Sequence, residues 1–342
     1  MAEIIRIHQY KESFNEAIKD LSNLCSEDLH SINTLVLEKL DSSVPLIQEI
    51  GKYLILSGGK RLRPLLTTSC FHILNSDLTN NINHIGLAAA VEFIHAATLL
   101  HDDVVDLSKD RRGKLTANEV WSNKTSVLVG DFLFSRSFQL MTKYGTMETL
   151  KILSDTSVII SEGEVLEISN DKNLEMNEDT YFQVINGKTA SLFSAACQVG
   201  GISGGAKDNE QQALKSFGTN FGMAFQLIDD AIDYSSNSKT MGKNIGDDFR
   251  ERKLTMPFIK AIQNSTKSEL EFWKRTIEKG NQNDQDWDTA LSLMDKYQAI
   301  TKTRQEAEMW VEQAKRALSK LPDSEMRILL SELADYVLTR SK

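Results

Sequence analysis

Proline is scarce in this chain: 4 residues in 342, Pro45, Pro64, Pro257 and Pro322. Proline breaks helix interiors, so a chain with so few can carry long helices throughout. Cysteine is scarcer still. Cys25, Cys70 and Cys197 are widely spaced and odd in number, which gives neither a disulfide framework nor zinc-ligand spacing. A reducing, cytoplasmic setting is expected. The opening residues Met1–His8 contain no apolar signal core, and no run of about 18 apolar residues follows, so no membrane-spanning helix is expected. Transient contact with a membrane surface stays open. Lys plus Arg number 39 against 48 Asp plus Glu, a net charge of −9. That balance lacks the basic surface that displaces counterions from a nucleic acid, so no nucleic-acid partner is expected. Against these absences, 41 % hydrophobic and 25 % charged residues are ordinary globular proportions and exclude wholesale disorder.

The pattern that fills the chain is helical. In residues 305–321, Ala307, Trp310, Val311, Ala314, Ala317, Leu318 and Leu321 recur at steps of three and four, one face of a helix. Pro322-Asp323-Ser324 stops it and starts a second helix over 325–339. Residues 84–107 and 208–234 are apolar on several sides, as central helices are. No alternating run bounded by turn residues predicts a strand. Breaks fall at 57–61, 75–81, 108–114, 169–179, 200–207, 235–253 and 279–286, none long enough for an interdomain linker. The expectation is one all-α domain over residues 1–342, a large helical bundle, with residues 1–44 as an N-terminal helical segment.

One sequence element occurs twice. Leu99-Leu100-His101-Asp102-Asp103-Val104-Val105-Asp106 and Gln226-Leu227-Ile228-Asp229-Asp230-Ala231-Ile232-Asp233 each place Asp-Asp-x-x-Asp at the end of an apolar helix. At i and i+4, Asp102 and Asp106 share a face, as do Asp229 and Asp233. Like charges at that spacing repel, and the helix C-terminus disfavours anions. Bound cations remove both costs. Oxygen-only ligands select a hard cation, and Mg²⁺ fills its remaining positions with water and substrate phosphate oxygens. Two such clusters therefore point to several Mg²⁺ ions holding a polyphosphate.

Basic clusters complete the pattern. Gly58-Gly59-Lys60-Arg61-Leu62-Arg63-Pro64 is a Gly-Gly turn entering a helix, where backbone N–H groups suit phosphate. Taken alone it reads more readily as a glycine cap followed by solvated charges. Arg111-Arg112-Gly113 follows the first aspartate cluster, and Lys188-Thr189 opens an apolar helical run. The stretch 235–253, ending in Gly242-Lys243 through Lys253, is glycine-rich and charged, as a mobile lid over phosphates would be.

Together these motifs, with Gly187-Lys188-Thr189-Ala190 and Phe225-Gln226-Leu227-Ile228-Asp229-Asp230, resemble the trans-isoprenyl (polyprenyl) diphosphate synthase family from about residue 45 to the C-terminus. No catalytic motif is missing, which argues against a degenerate subunit. The resemblance implies an isoprenoid synthase fold, helices around a central cavity, in a homodimer. It implies Mg²⁺-dependent head-to-tail condensation of isopentenyl diphosphate onto an allylic diphosphate such as farnesyl diphosphate. By motif position, Lys60, Arg63, His95 and Arg112 would bind isopentenyl diphosphate. Arg111, Lys188, Thr189, Gln226, Lys243 and Lys253 would contact the allylic diphosphate. Asp102, Asp103, Asp106, Asp229 and Asp233 would hold three Mg²⁺ ions, with Asp230 and Lys188 also counted as catalytic. His95 reads otherwise as a packed core histidine, but it lies seven residues, two turns, before Asp102 on the same face.

Product length turns on the residues below Asp102. Short-chain members of the family carry an aromatic residue four or five positions before the first aspartate. Here those positions are Thr98 and Ala97, with Ile94 and Phe93 further down. The path reads as open, and the context resembles bacterial octaprenyl to decaprenyl diphosphate synthases of quinone side-chain biosynthesis. A bulky residue deeper down, Phe93 or Met141, would instead give a shorter, geranylgeranyl or farnesyl product. Three readings of other classes compete. A class I terpene cyclase would need neither the Gly-Gly-Lys-Arg segment nor the second motif. A metal phosphohydrolase built on His101-Asp102 would need more histidine ligands than 6 scattered residues supply. A helical scaffold leaves two acidic clusters in apolar helices unexplained.

Overall fold

Strong helix starts and scarce breakers yield helices nearly throughout residues 14–74, 82–234 and 246–340, which the computed structural model describes. The first five are α1 (Phe14–Leu24), α2 (Ser26–Lys39), α3 (Pro45–Leu56), α4 (Leu62–Leu74) and α5 (Asn83–Val105). Pro45 opens α3 in the first turn, where its missing N–H costs nothing. After a short hairpin come α6 (Ala117–Val120), α7 (Asn123–Tyr144), α8 (Met147–Ser169), α9 (Glu178–Ile185), α10 (Ser191–Ser203) and α11 (Asp208–Asp233). The C-terminal part adds α12 (Asp247–Arg250), α13 (Met256–Ile262), α14 (Lys267–Trp273), α15 (Asp286–Lys296), α16 (Ala299–Leu318) and α17 (Glu325–Leu338). Side-chain caps fix several starts: Ser122, Asn177 and Ser324 accept from the backbone N–H three residues on. Each satisfies a donor that would otherwise lack a partner, worth about 1 kcal/mol.

Two apolar clusters form the interior. The first gathers α1, α4, α11 and the C-terminal helices around Phe193, Phe217, Phe221 and Trp273. The second joins α2, α3, α5 and α7 around Phe93, Ile94, Leu100 and Leu133. Helix α10 lies between them, with Phe193 and Cys197 on the first and Leu192, Ala195, Ala196 and Val199 on the second. It is buried on every side, so its side chains need no polar face. Truncating Phe193 would remove an anchor of the first cluster at a cost of about 3–5 kcal/mol. The anticipated face of α16 is buried at Ala307, Val311, Ala314, Ala317 and Leu318; the helix ends at Leu318, ahead of the anticipated stop at Pro322, and the next helix starts at Glu325 as anticipated. Among the described residues α5 is long and apolar enough to cross a membrane, but 72 % of its apolar window is buried inside the protein. All three cysteines are free and buried.

Local geometry departs from the sequence reading in three places. Where no strand was expected, Asp110–Arg111 (β1) and Lys114–Leu115 (β2) form a two-residue antiparallel ladder. Arg112 and Gly113 turn it with φ of 57° and 74°, the left-handed pair that a two-residue hairpin loop demands. Two residues a side are too few to leave an alternating pattern. Asn186–Ala190, which carries Lys188, is a π-helical turn joining α9 to α10 rather than plain α-helix. The break placed at 200–207 begins late, because α10 continues to Ser203. The N-terminal segment is part of the interior: Phe14, Ala17, Ile18 and Leu21 of α1 belong to the first cluster.

Candidate active site

Helices α5 and α11 each end on their aspartates, and the surrounding elements supply cations. At the end of α5, Asp103 is 1 % exposed and accepts from Arg111 Nε at 3.0 Å and Nη2 at 2.8 Å. The hairpin thus delivers Arg111 to the first cluster immediately after the helix ends. Asp102 is pushed up to about 6 by burial and by repulsion from Asp106 and Glu167, against the pull of Lys188 and Arg111. A carboxyl raised in this way lacks compensating positive charge. Asp106 lies at the rim, its Oδ2 3.3 Å from Lys253 Nζ.

Lys188 reaches this cluster because α8 and the π-turn meet backbone to backbone. A Cβ on Gly163 would lie 2.9 Å from Gly187 Cα, and one on Gly187 would lie 2.8 Å from Gly163 Cα. That approach lets Lys188 Nζ sit 2.9 Å from Glu164 Oε2 and 2.6 Å from Glu167 Oε2. Burial alone would lower the Lys188 ammonium, but Glu167, Asp102 and Glu164 outweigh it and hold it above its ordinary range. Glu164 is pushed up to about 7, by burial first and Asp102 next, and its Oε1 is buried without a partner.

The second cluster is more enclosed. Asp230 accepts from the Tyr181 hydroxyl and, at 2.8 Å, from Gln226 Nε2, while Gln226 Oε1 accepts from Thr189 Oγ1 at 3.0 Å. Burial pushes Asp230 up to about 7 despite these bonds. Asp233 Oδ2 accepts the backbone N–H of Asp248 at 3.0 Å. Three residues after α12, the backbone N–H of Lys253 donates to Asp248 O. Residues 246–253 therefore strap one aspartate cluster to the other, from Asp233 through Asp248 to Lys253 and Asp106. Asp229 Oδ1 accepts from Arg340 Nη2 at 2.8 Å.

Behind Asp103 lies a positive pocket. Burial drives His95 well below its ordinary range, reinforced by Arg63, Arg111, Arg112 and Arg61. Arg63 stands 4.3 Å over the Phe193 ring, its Nε buried and unpartnered, and burial lowers it to about 10 against the pull of Glu92. Arg61 pairs with buried Glu92, and Arg112 donates to Gly58 O, closing the Gly-Gly loop over the hairpin. Lys60 stands 5.0 Å from the Phe14 ring and is lowered by burial and by Arg340, with Asp229 opposing. Its charge thus adjoins the second cluster. Arg340 lies 4.0 Å over Phe225 and keeps Nε and Nη1 buried without partners. Unsatisfied buried guanidinium donors and crowded carboxylates in one cleft form a site for an anion together with hard cations.

The comparisons agree with that chemistry. Residues 44–294 match the polyprenyl synthetase family. The chain belongs to the polyprenyl synthetase family. Octaprenyl diphosphate synthase of Escherichia coli K12 is 39 % identical over 325 residues, 95 % of this chain and 99 % of that protein. The crystal structure of a decaprenyl diphosphate synthase from Rhodobacter capsulatus superposes with a TM-score of 0.90 at 51 % identity, covering 95 % of this chain and 99 % of that one. A polyprenyl synthase from Caulobacter crescentus CB15, solved with calcium and isoprenyl diphosphate, gives a TM-score of 0.89 at 43 % identity, covering 94 % and 98 %. The likeness to these polyprenyl synthases extends beyond residue 45 into the N-terminal helices, since 95 % of the chain is matched. Polyprenyl synthetases use a divalent metal.

Of the residues the motifs single out, Asp102, Asp103, Asp106, Asp229, Asp230, Asp233, Arg63, His95, Arg111, Arg112, Lys188, Thr189, Gln226 and Lys253 lie in this cleft or its immediate wall, as described above. Lys60, against the Phe14 ring, has Arg340 and Asp229 as its charged neighbours. Lys243 lies outside the described residues. Phe93, Ile94 and Ala97 are buried in the second apolar cluster, and Thr98 is half-buried with its hydroxyl donating to His95 O at 2.8 Å. His101 points the other way, to Val127 O at 3.2 Å and Asp131 at 3.5 Å on α7, which removes the basis of the phosphohydrolase reading. Sequence reasoning passed over Glu164, Glu167, Tyr181, Asp248 and Arg340. Glu164 and Glu167 had a signal, two carboxylates at i and i+3 on one helix. Arg340, close to the C-terminus and far from any motif, had none.

Proposed function

We propose that this cleft condenses isopentenyl diphosphate with an allylic diphosphate. The chain is a prenyltransferase, a long-chain trans-polyprenyl diphosphate synthase of the octaprenyl to decaprenyl type. The observation that carries the site reading is the strap from Asp233 to Asp106, which draws the two aspartate clusters around one opening. Asp102, Asp103, Asp106, Asp229 and Asp233 would hold Mg²⁺, three ions in all, and the all-oxygen donor set with its raised Asp102 fits a hard dication. When bound, Mg²⁺ offsets the charge of the allylic diphosphate and makes it a better leaving group.

The chain's own residues do the rest. Lys188, held charged by three carboxylates, and Arg111 and Lys253 bind the allylic phosphates, with Thr189 and Gln226 fixing one edge. Arg63, Arg112 and Lys60 bind the second diphosphate. His95, kept neutral by burial and by the surrounding guanidinium groups, donates a hydrogen bond without adding charge. The strap at 246–253 excludes water from the allylic cation that forms when the C–O bond ionises. The double bond of isopentenyl diphosphate attacks that cation, and a proton leaves to the departing diphosphate. The growing chain passes Ala97 and Thr98. The functional unit is one domain, active as a homodimer in the cytoplasm. Exposed Val127, Leu128 and Phe138 on α7 with Val158, Ile159, Val165 and Ile168 on α8 support a second copy packing there.

The deciding experiment incubates purified protein with farnesyl diphosphate, labelled isopentenyl diphosphate and Mg²⁺, then sizes the dephosphorylated products. A ladder ending at one length of octaprenyl to decaprenyl class is expected. A stop at geranylgeranyl length would keep the reaction and overturn the open path past Ala97. No elongation with any primer would overturn the condensation itself.

A further inference from the structure

A second group of ligand atoms lies at the far end of α5. Asp28 in the first turn of α2, His72 in the last turn of α4 and His84 in the first turn of α5 converge, with all their ligand atoms within 4.8 Å of one another. His84 and Asp102 are eighteen residues apart on one helix, about 27 Å along its axis, so the group is separate from the aspartate clusters. We infer that Asp28, His72 and His84 bind one dication of the zinc class.

Three observations carry this. The first is that His84 is 4 % exposed, with no hydrogen-bond partner at Nδ1 and only the Asp28 carboxylate facing Nε2. A buried imidazole left in that state lacks a partner that nearly every buried polar group has. The second is geometry. His84 Nε2 lies 3.3 Å from Asp28 Oδ2, which is also the spacing of two ligands on a tetrahedral ion with bonds of about 2.0–2.1 Å. His72 Nε2, now 2.6 Å from the same oxygen, would open by about 0.7 Å to match. The third is preorganisation. The Phe71 ring stacks on His84 at 3.7 Å and 9°, fixing the imidazole plane.

The donor chemistry also sorts the ion. Two imidazoles and one carboxylate suit Zn²⁺, Co²⁺ or Ni²⁺, whereas Mg²⁺ prefers oxygen ligands. The side chains of His72 and Asp28 keep 27 % and 20 % of their exposure, which leaves an entry path and a fourth position for water. An ion here ties the N-terminal helix α2 to the corner between α4 and α5, and α5 carries the first aspartate cluster.

The test uses full-length protein stripped with EDTA and carrying Asp102→Asn and Asp229→Asn, so that binding at the aspartate clusters is weakened. Zn²⁺ and Co²⁺ are titrated by calorimetry with excess Mg²⁺ present, and Co²⁺ is followed by its visible absorption. One equivalent should bind, with intense bands of low coordination number and a rise in Tm. His84→Ala and His72→Gln should each weaken binding by more than the roughly 10–100-fold that losing an outer partner costs. His72→Gln, at a partly exposed position, carries the test if His84→Ala does not fold. No saturable binding above the Mg²⁺ background, or affinity unchanged in His72→Gln, would overturn the site and leave the three residues a hydrogen-bonded cluster.

Discussion

The two Asp-Asp-x-x-Asp motifs differ less in sequence than in what the fold places around them. The first ends a helix of the second apolar cluster, and its partners are long cations: Arg111 on Asp103, Lys188 near Asp102, Lys253 on Asp106. The second ends a helix of the first apolar cluster; one cation, Arg340, sits on Asp229, and the other two carboxylates are held by directional bonds, Tyr181 and Gln226 on Asp230 and a backbone N–H on Asp233. Flexible cations can follow a substrate that changes charge, while a hydrogen-bonded carboxylate is fixed in place. One motif therefore reads as the side that handles the reacting diphosphate and the other as a rigid anchor. The sharpest way to break this distinction is to remove one carboxylate from each. Asp102→Ala and Asp229→Ala should each lower turnover by about 10²–10³-fold or more, the scale of losing one preorganised electrostatic group, with the helical circular dichroism spectrum unchanged. Retained activity in both variants would remove the metal role from the clusters altogether.

The floors beneath the two motifs also differ. Five and four residues before Asp102 stand Ala97 and Thr98, whereas the same positions before Asp229 are Ala224 and Phe225. Phe225 packs in a tilted row with Phe221 and Phe193, capped by Arg340. Below the second motif there is an aromatic wall, and below the first there are small side chains. The growing prenyl chain should therefore descend along α5. Ala97→Phe should shorten the product by several isoprene units while leaving the first condensation near its normal rate, read by sizing the labelled products. An unchanged ladder would move the path away from α5 and erase this half of the contrast.

Much of this was legible in residues alone, for a physical reason: helix periodicity, caps and the repeated aspartates are local patterns. The start of α17 after the Ser324 cap needed only neighbouring residues. What stayed hidden depends on chain segments meeting. Tyr181 gives no sign that its hydroxyl finds Asp230 across forty-nine residues. Arg340 reaches Asp229 only because α17 packs along α11. The π-turn at Asn186–Ala190 follows from the Gly163–Gly187 approach, a contact between helices rather than a propensity. The hairpin at Asp110–Leu115 is shorter than any alternation that could announce it.

Smaller effects should sharpen the picture of the second motif as an anchor. Tyr181→Phe removes a donor from a buried carboxyl and should cost about 1–3 kcal/mol of stability in urea unfolding. The pH dependence follows the same group. In metal-free protein burial lifts Asp230 to about 7, whereas in the unfolded chain an aspartate titrates near 3.9. Between those values the folded state holds a proton that the unfolded state has released, so this group makes stability fall as pH rises through the window. Above about 7 both states are ionised and the slope ends. Asp230→Asn should therefore flatten the decline in Tm across that range in EDTA, compared with the unsubstituted protein. Tyr181→Phe should act oppositely: the Tyr181 bond lowers the Asp230 carboxyl, so losing it should carry the upper edge of the decline to higher pH. If neither variant moves the slope, Asp230 is ionised at neutral pH, and the second motif offers three charged carboxylates to metal just as the first does.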